Sequence, residues 1–165
     1  MNTCAGRSGT EEQPNIARRT AFERIIEDAR KEIALLSSNK MDAALGYTIV
    51  GQAQRELGLW NEAETSIKSA LVVHDKANFL EEAAYDWYLI ASVRSRAANY
   101  EAALEALDNA LALDRRAENS YGLATDWNAR GTVLEKAGRS SEAQAAYKRS
   151  QDIYRSIGFG TELVP

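Results

Sequence analysis

Leu57-Gly58-Leu59-Trp60-Asn61-Glu62-Ala63 recurs forty residues later as Ala97-Ala98-Asn99-Tyr100-Glu101-Ala102-Ala103, and again as Ala137-Gly138-Arg139-Ser140-Ser141-Glu142-Ala143. Working outward from this break, the agreement holds on both sides. Upstream, Gly51, Ala91 and Gly131 coincide, and four residues before them stand Tyr47, Trp87 and Trp127. Downstream, Ile67, Leu107 and Tyr147 coincide. Small residues recur where two backbones must approach, and large ones where a gap must be filled. A fixed period in the range of about 20–50 residues is the mark of a stacked-repeat architecture, in which each unit buries its apolar face against the next.

The spacing inside each copy is helical. Residues 15–37 carry Phe22, Ile25, Ile26, Ala29, Ile33 and Leu36 on one face, and predict a capping helix ahead of the repeats. Three helix pairs follow, over 40–76, 80–116 and 120–157, giving seven helices in a right-handed all-α solenoid. Residues 1–14 and 158–165 read as tails. Gly58 and Gly138 suit a left-handed helix stop; Ala98 at the same point predicts a strained turn. Asn61 with Glu64, Ser141 with Gln144 and Asn78 with Glu81 have the spacing of capping boxes.

The repeated residues resemble the tetratricopeptide repeat. The first copy reads Tyr47, Val50-Gly51, Gly58, Trp60, Ala63, Ile67, Ala70; the second, Trp87, Ile90-Ala91, Ala98, Tyr100, Ala103, Leu107, Ala110; the third, Trp127, Arg130-Gly131, Gly138, Ser140, Ala143, Tyr147, Ser150. The forty-residue period exceeds the usual thirty-four, which implies longer helices or longer turns. It is similar to the extended variants of kinesin light chains and of some bacterial peptide-responsive regulators. The resemblance implies a non-enzymatic scaffold that takes a peptide or helix in a groove lined by the first helix of each pair. On that wall it places Thr48, Gln52 and Arg55; Tyr85, Tyr88, Ser92 and Arg96; and Asn128, Thr132 and Glu135. Family members that grip a carboxylate tail use a lysine, asparagine and arginine clamp. Thr48, Gln52, Leu89, Thr125 and Ala129 stand at those positions, so such a tail is not the expected ligand.

Composition narrows the alternatives. The chain has 165 residues, 45% hydrophobic and 27% charged, with a net charge of −4. That balance fits a globular chain and offers no basic stripe for nucleic acid. The lone cysteine, Cys4, and lone histidine, His74, give no Cys/His metal cluster and no cofactor motif. His74 lies near a helix end beside Asp75, where a cation favours the helix dipole, and no nucleophile stands by it.

Met1-Asn2-Thr3-Cys4-Ala5-Gly6 with its polar sequel resembles the start of a mature bacterial lipoprotein. A lipid on Cys4 would make the protein a periplasmic envelope component working in assembly. Otherwise the thiol is incidental and a cytoplasmic location is expected. The apolar residues Tyr154, Ile157 and Phe159 at the end of the last copy predict either a tail folded back over them or a second chain, making the C-terminal edge a site of self-association.

Overall fold

The computed structural model describes residues 12–36 and 40–159, with side chains from Asn15 onward. Cys4 and the segment 160–165 lie outside the described residues. Every described element is a helix: α1 Glu12–Leu35, α2 Lys40–Glu56, α3 Trp60–Ala77, α4 Leu80–Arg96, α5 Tyr100–Arg116, α6 Ser120–Lys136 and α7 Ser140–Ser156. α1 thus starts three residues before the expected Asn15.

The forty-residue period comes from helix length. α2 and α4 to α7 each have 17 residues, and the turns from α3 onward are short whether they lie within a pair or between pairs. Gly58, Asn78, Ala98, Glu118, Gly138 and Gly158 all have positive φ, at every twentieth position. The residue after each donates its N–H to the carbonyl five residues back: Leu59 to Gln54, Phe79 to His74, Asn99 to Arg94, Asn119 to Asp114, Arg139 to Leu134 and Phe159 to Tyr154, at 2.9–3.0 Å. This is the Schellman closure, which satisfies carbonyls left over at a helix end. The true structural period is therefore one helix and one joint.

These joints overturn the expected capping boxes. One left-handed residue and one bridging residue reverse the chain so tightly that the next helix resumes at once. Asn61 and Ser141 are already inside α3 and α7, and the residues before those helices, Leu59 and Arg139, make no side-chain cap. Asn78 closes α3 at φ 57° instead of opening α4. The side-chain cap that does form belongs to Asn119, which accepts the Gly122 N–H at 3.0 Å.

Consecutive helices pack in sequence order. In addition α2 meets α4 and α4 meets α6, whereas α3, α5 and α7 touch only helices adjacent in sequence. The first helices therefore form the inner wall of an α-solenoid and the second helices splay outward. Within each pair a small residue lies under a large one. A Cβ added to Gly51 would come within 2.5 Å of Ile67 Cγ1, and one added to Gly131 within 2.5 Å of the Tyr147 ring. Ala63, Ile67, Ala91, Ala103, Leu107 and Ala143 join one continuous buried cluster, with Trp60, Trp87 and Trp127 packed against it. The Arg149 guanidinium covers the outer side of Trp127 at 4.9 Å, a cation–π contact. At the far end Phe159 packs on Tyr121 and Tyr154, with ring centroids 5.6 and 6.1 Å away, so the chain itself covers part of its last aromatic surface.

Candidate functional site

The inner wall carries two clefts. The first, about 260 Å³, lies between α4 and α6 with Leu107 of α5 at its floor, and is lined by Tyr88, Ser92, Ser95, Arg96, Thr125, Asn128, Thr132 and Lys136. The second, about 550 Å³, lies between α2 and α4 and is lined by Met41, Leu45, Thr48, Gln52, His74, Glu81, Glu82, Tyr85 and Asp86, with Asn119 at its edge. Both exist because α2, α4 and α6 run side by side and show the wall one residue per turn.

The residues expected on this wall divide between the two clefts. Tyr88, Ser92, Arg96, Asn128 and Thr132 come together in the α4–α6 cleft. Tyr88 stacks on Tyr85, centroids 5.9 Å apart and planes inclined 14°. Burial holds the Tyr88 hydroxyl above the usual phenol range, so it stays a donor at neutral pH. Asn128 is exposed. Arg96 reaches Glu56 Oε1 at 3.3 Å. Tyr85, 49% exposed, and Gln52 line the α2–α4 cleft.

Three of the expected residues are already engaged within the chain. Thr48 is buried where it lines the α2–α4 cleft, and its hydroxyl is already shared between the Ala44 carbonyl at 3.2 Å and Asp86 Oδ1 at 3.3 Å. Arg55 spans α2 and α4, donating to Ser92 Oγ at 3.2 Å and to Glu56 Oε1 at 3.0 Å; its fork is already occupied. Glu135 lines neither cleft and accepts the Tyr147 hydroxyl at 3.0 Å, because that part of α6 turns toward α7.

His74 stands in the last turn of α3, as expected. It is buried, and its Nδ1 lies 2.6 Å from Asp86 Oδ2. This pair and the one at the next seam occupy matching positions. His74 of α3 faces Asp86 of α4, and forty residues on, Asp114 of α5 faces Asp126 of α6. In the second pair two carboxyls meet. Asn119 Nδ2 donates to Asp114 Oδ1 at 2.9 Å, while Asp126 Oδ2 is buried without a hydrogen-bond partner. Burial, with no cation in reach, pushes Asp114 up to about 6. Burial and the neighbouring Asp114 push Asp126 up to about 8. At neutral pH Asp126 therefore keeps its proton and shares it with Asp114.

Among the described residues no group of three or more His, Cys, Asp or Glu side chains is placed to hold a metal ion. No described helix is long and apolar enough to cross a membrane.

With this geometry in view, the family model of the tetratricopeptide repeat matches residues 81–156. This stretch carries tetratricopeptide repeats. The matched stretch spans α4 to α7, and the same joints and small-on-large packing extend the array back through α2 and α3. Among solved structures the chain is similar to a Rap protein crystallised in complex with competence and sporulation factor. The TM-score is 0.72 at 19% identity, over 86% of this chain and 41% of that one. The likeness is one of fold, and the present chain spans less than half of that protein's length. No curated protein matches the sequence.

Proposed function

We propose that the protein is a non-enzymatic scaffold that holds an extended peptide or a helix on the wall formed by α2, α4 and α6. A tetratricopeptide array presents a continuous inner surface whose backbone is already satisfied by its own helices, so recognition falls to side chains. One observation carries the reading. Tyr88, Ser92, Arg96, Asn128 and Thr132 converge on one cleft between helices of successive pairs, and the Tyr88 hydroxyl and the Asn128 side-chain amide make no hydrogen bond among the described residues. A rigid aromatic, an amide and an arginine suit a polypeptide backbone and its side chains. The Rap protein of similar fold was solved with competence and sporulation factor bound, which is in keeping with a ligand-holding role for such an array.

The test is capture of partner peptides from a display library, followed by affinity measurement on the Tyr88→Ala/Asn128→Ala double variant. A loss of tenfold or more supports the reading. Unchanged binding by a folded variant removes it.

A further inference from the structure

The α2–α4 cleft has a chemistry of its own. Its two mouth acids, Glu81 and Glu82, are exposed and have no cation partner among the described residues. Their field is felt inside the wall: Glu82 acts on Asp86 and Glu81 on Asp114, each favouring the neutral acid. Met41, Leu45 and the Tyr85 ring supply apolar surface between the mouth and the floor.

At the floor lies His74, 7% exposed. Its Nδ1 is taken by Asp86. Its Nε2 has no partner among the described residues, yet is not among the side-chain atoms sealed from solvent. Of the two inner-wall clefts His74 lines this one, and with Nδ1 on Asp86 the polar atom it has left to offer is Nε2. In the tautomer whose Nδ1–H is donated to Asp86, Nε2 is the acceptor and its lone pair is left for the cleft. The cleft thus offers acidic oxygens at its mouth, the Gln52 amide on its side, a lone pair at its floor and greasy walls between. That combination is complementary to one kind of group, a cationic head on an aliphatic stem.

We propose that the α2–α4 cleft binds a basic side chain of the partner, a lysine ammonium or arginine guanidinium, with Glu81 and Glu82 neutralising its charge and His74 accepting from it. The inference rests on reading the inner wall as a polypeptide-binding surface, and it names what one position of that polypeptide must be.

His74 is the chain's one histidine, so its ring gives a single, unambiguous NMR reporter. The probes are acetyl-glycyl-lysyl-glycine amide, the arginyl analogue, and the glutamyl analogue as control. The basic probes are expected to move the His74 Cε1–H signal saturably, and the glutamyl probe is not. Glu81→Gln/Glu82→Gln should weaken the effect at least fivefold. Asn109→Ala, on the exposed face of α5 and away from both clefts, should leave it unchanged. No saturable shift, an equal shift with the glutamyl probe, or indifference to the two glutamates would overturn the proposal. The two readings fail separately. Longer peptides that bind without moving the His74 signal sink this site and leave the groove. Basic probes that bind while no longer peptide does sink the groove and leave this site.

Discussion

Asp114 of α5 and Asp126 of α6 face each other inside the seam between the second and third helix pairs, and no cation stands against either. Glu81 of α4 acts on Asp114, and Tyr88 of α4 is within the field of Asp126; neither brings positive charge. Burial and mutual repulsion favour a proton held in this seam.

The pH dependence follows from that proton. In the unfolded chain both carboxyls titrate near about 4, whereas in the fold they are raised to about 6 and about 8. Between those limits the folded state binds more protons, so stability falls as pH rises. We expect Tm to drop by roughly 5–10 °C from pH 5 to pH 9. Asp126→Asn can donate to Asp114 at any pH; it should raise Tm at pH 8.5 and flatten most of the slope. Thermal melts across pH check both, and a variant whose Tm tracks the parent would refute the shared proton.

At the joints, Ala98 and Gly138 form a controlled pair. Ala98 is held at φ 61°, a conformation that costs an L-residue about 1–2 kcal/mol. Ala98→Gly should therefore raise Tm by roughly 2–4 °C. Gly138, at φ 77°, has open space where a Cβ would go, so Gly138→Ala should lose a similar amount through backbone strain alone. Calorimetry that finds the same sign for both would contradict the turn geometry.

Packing inside the pairs leaves less room. A Cβ on Gly51 meets Ile67 at 2.5 Å and the Ala63 carbonyl at 3.1 Å, and the carbonyl cannot step aside. Ala103 is fully buried. Gly51→Ala and Ala103→Leu should each cost about 1–3 kcal/mol by overpacking, visible as earlier urea midpoints with unchanged slope. Midpoints that stay in place would mean that these helices do not approach as described.

The outer side of the second pair is tied by Arg94, which donates to Glu64 Oε1 at 2.8 Å and to the Ala102 carbonyl at 3.0 Å. The hydrogen bond from Arg94 holds Glu64 below the usual carboxylate range. Its contribution is present above pH about 4.5 and fades in acid, opposite in sign to the aspartate pair. Arg94→Lys keeps the charge but loses the fork, and should cost about 1 kcal/mol at pH 7. Equal melts for parent and variant would mean that the bridge contributes nothing.

Much of this architecture could be read from the chain because the packing code is local. Gly51 with Ile67 and Gly131 with Tyr147 lie sixteen residues apart, within one hairpin, so a forty-residue self-comparison exposes them. The joint at every twentieth position was hidden because Ala98 and Glu118 carry no left-handed preference and Asn78, which does, also has the spacing of an N-cap with Glu81. The candidate wall was partly legible. Tyr88, Asn128 and their neighbours follow from helical phase, but the internal partners of Thr48 and Arg55 do not, since Asp86 and Ser92 sit on another helix. The buried ionisable pairs were out of reach for the same reason. Nothing in the sequence marks Asp86 and Asp126 as buried until the solenoid closes over them.

The equal joints have a consequence for how such an array can lengthen or shorten. α3 and α5 end on the same left-handed closure, so excising residues 79–118 would splice α3 directly to α6 through a joint the protein already uses. The new seam would set His74 against Asp126, marrying a base to an acid where two acids now compete. A chain that loses one whole hairpin this way exchanges its proton-dependent contact for a self-neutralising one, so copy number and acid tolerance are inherited together.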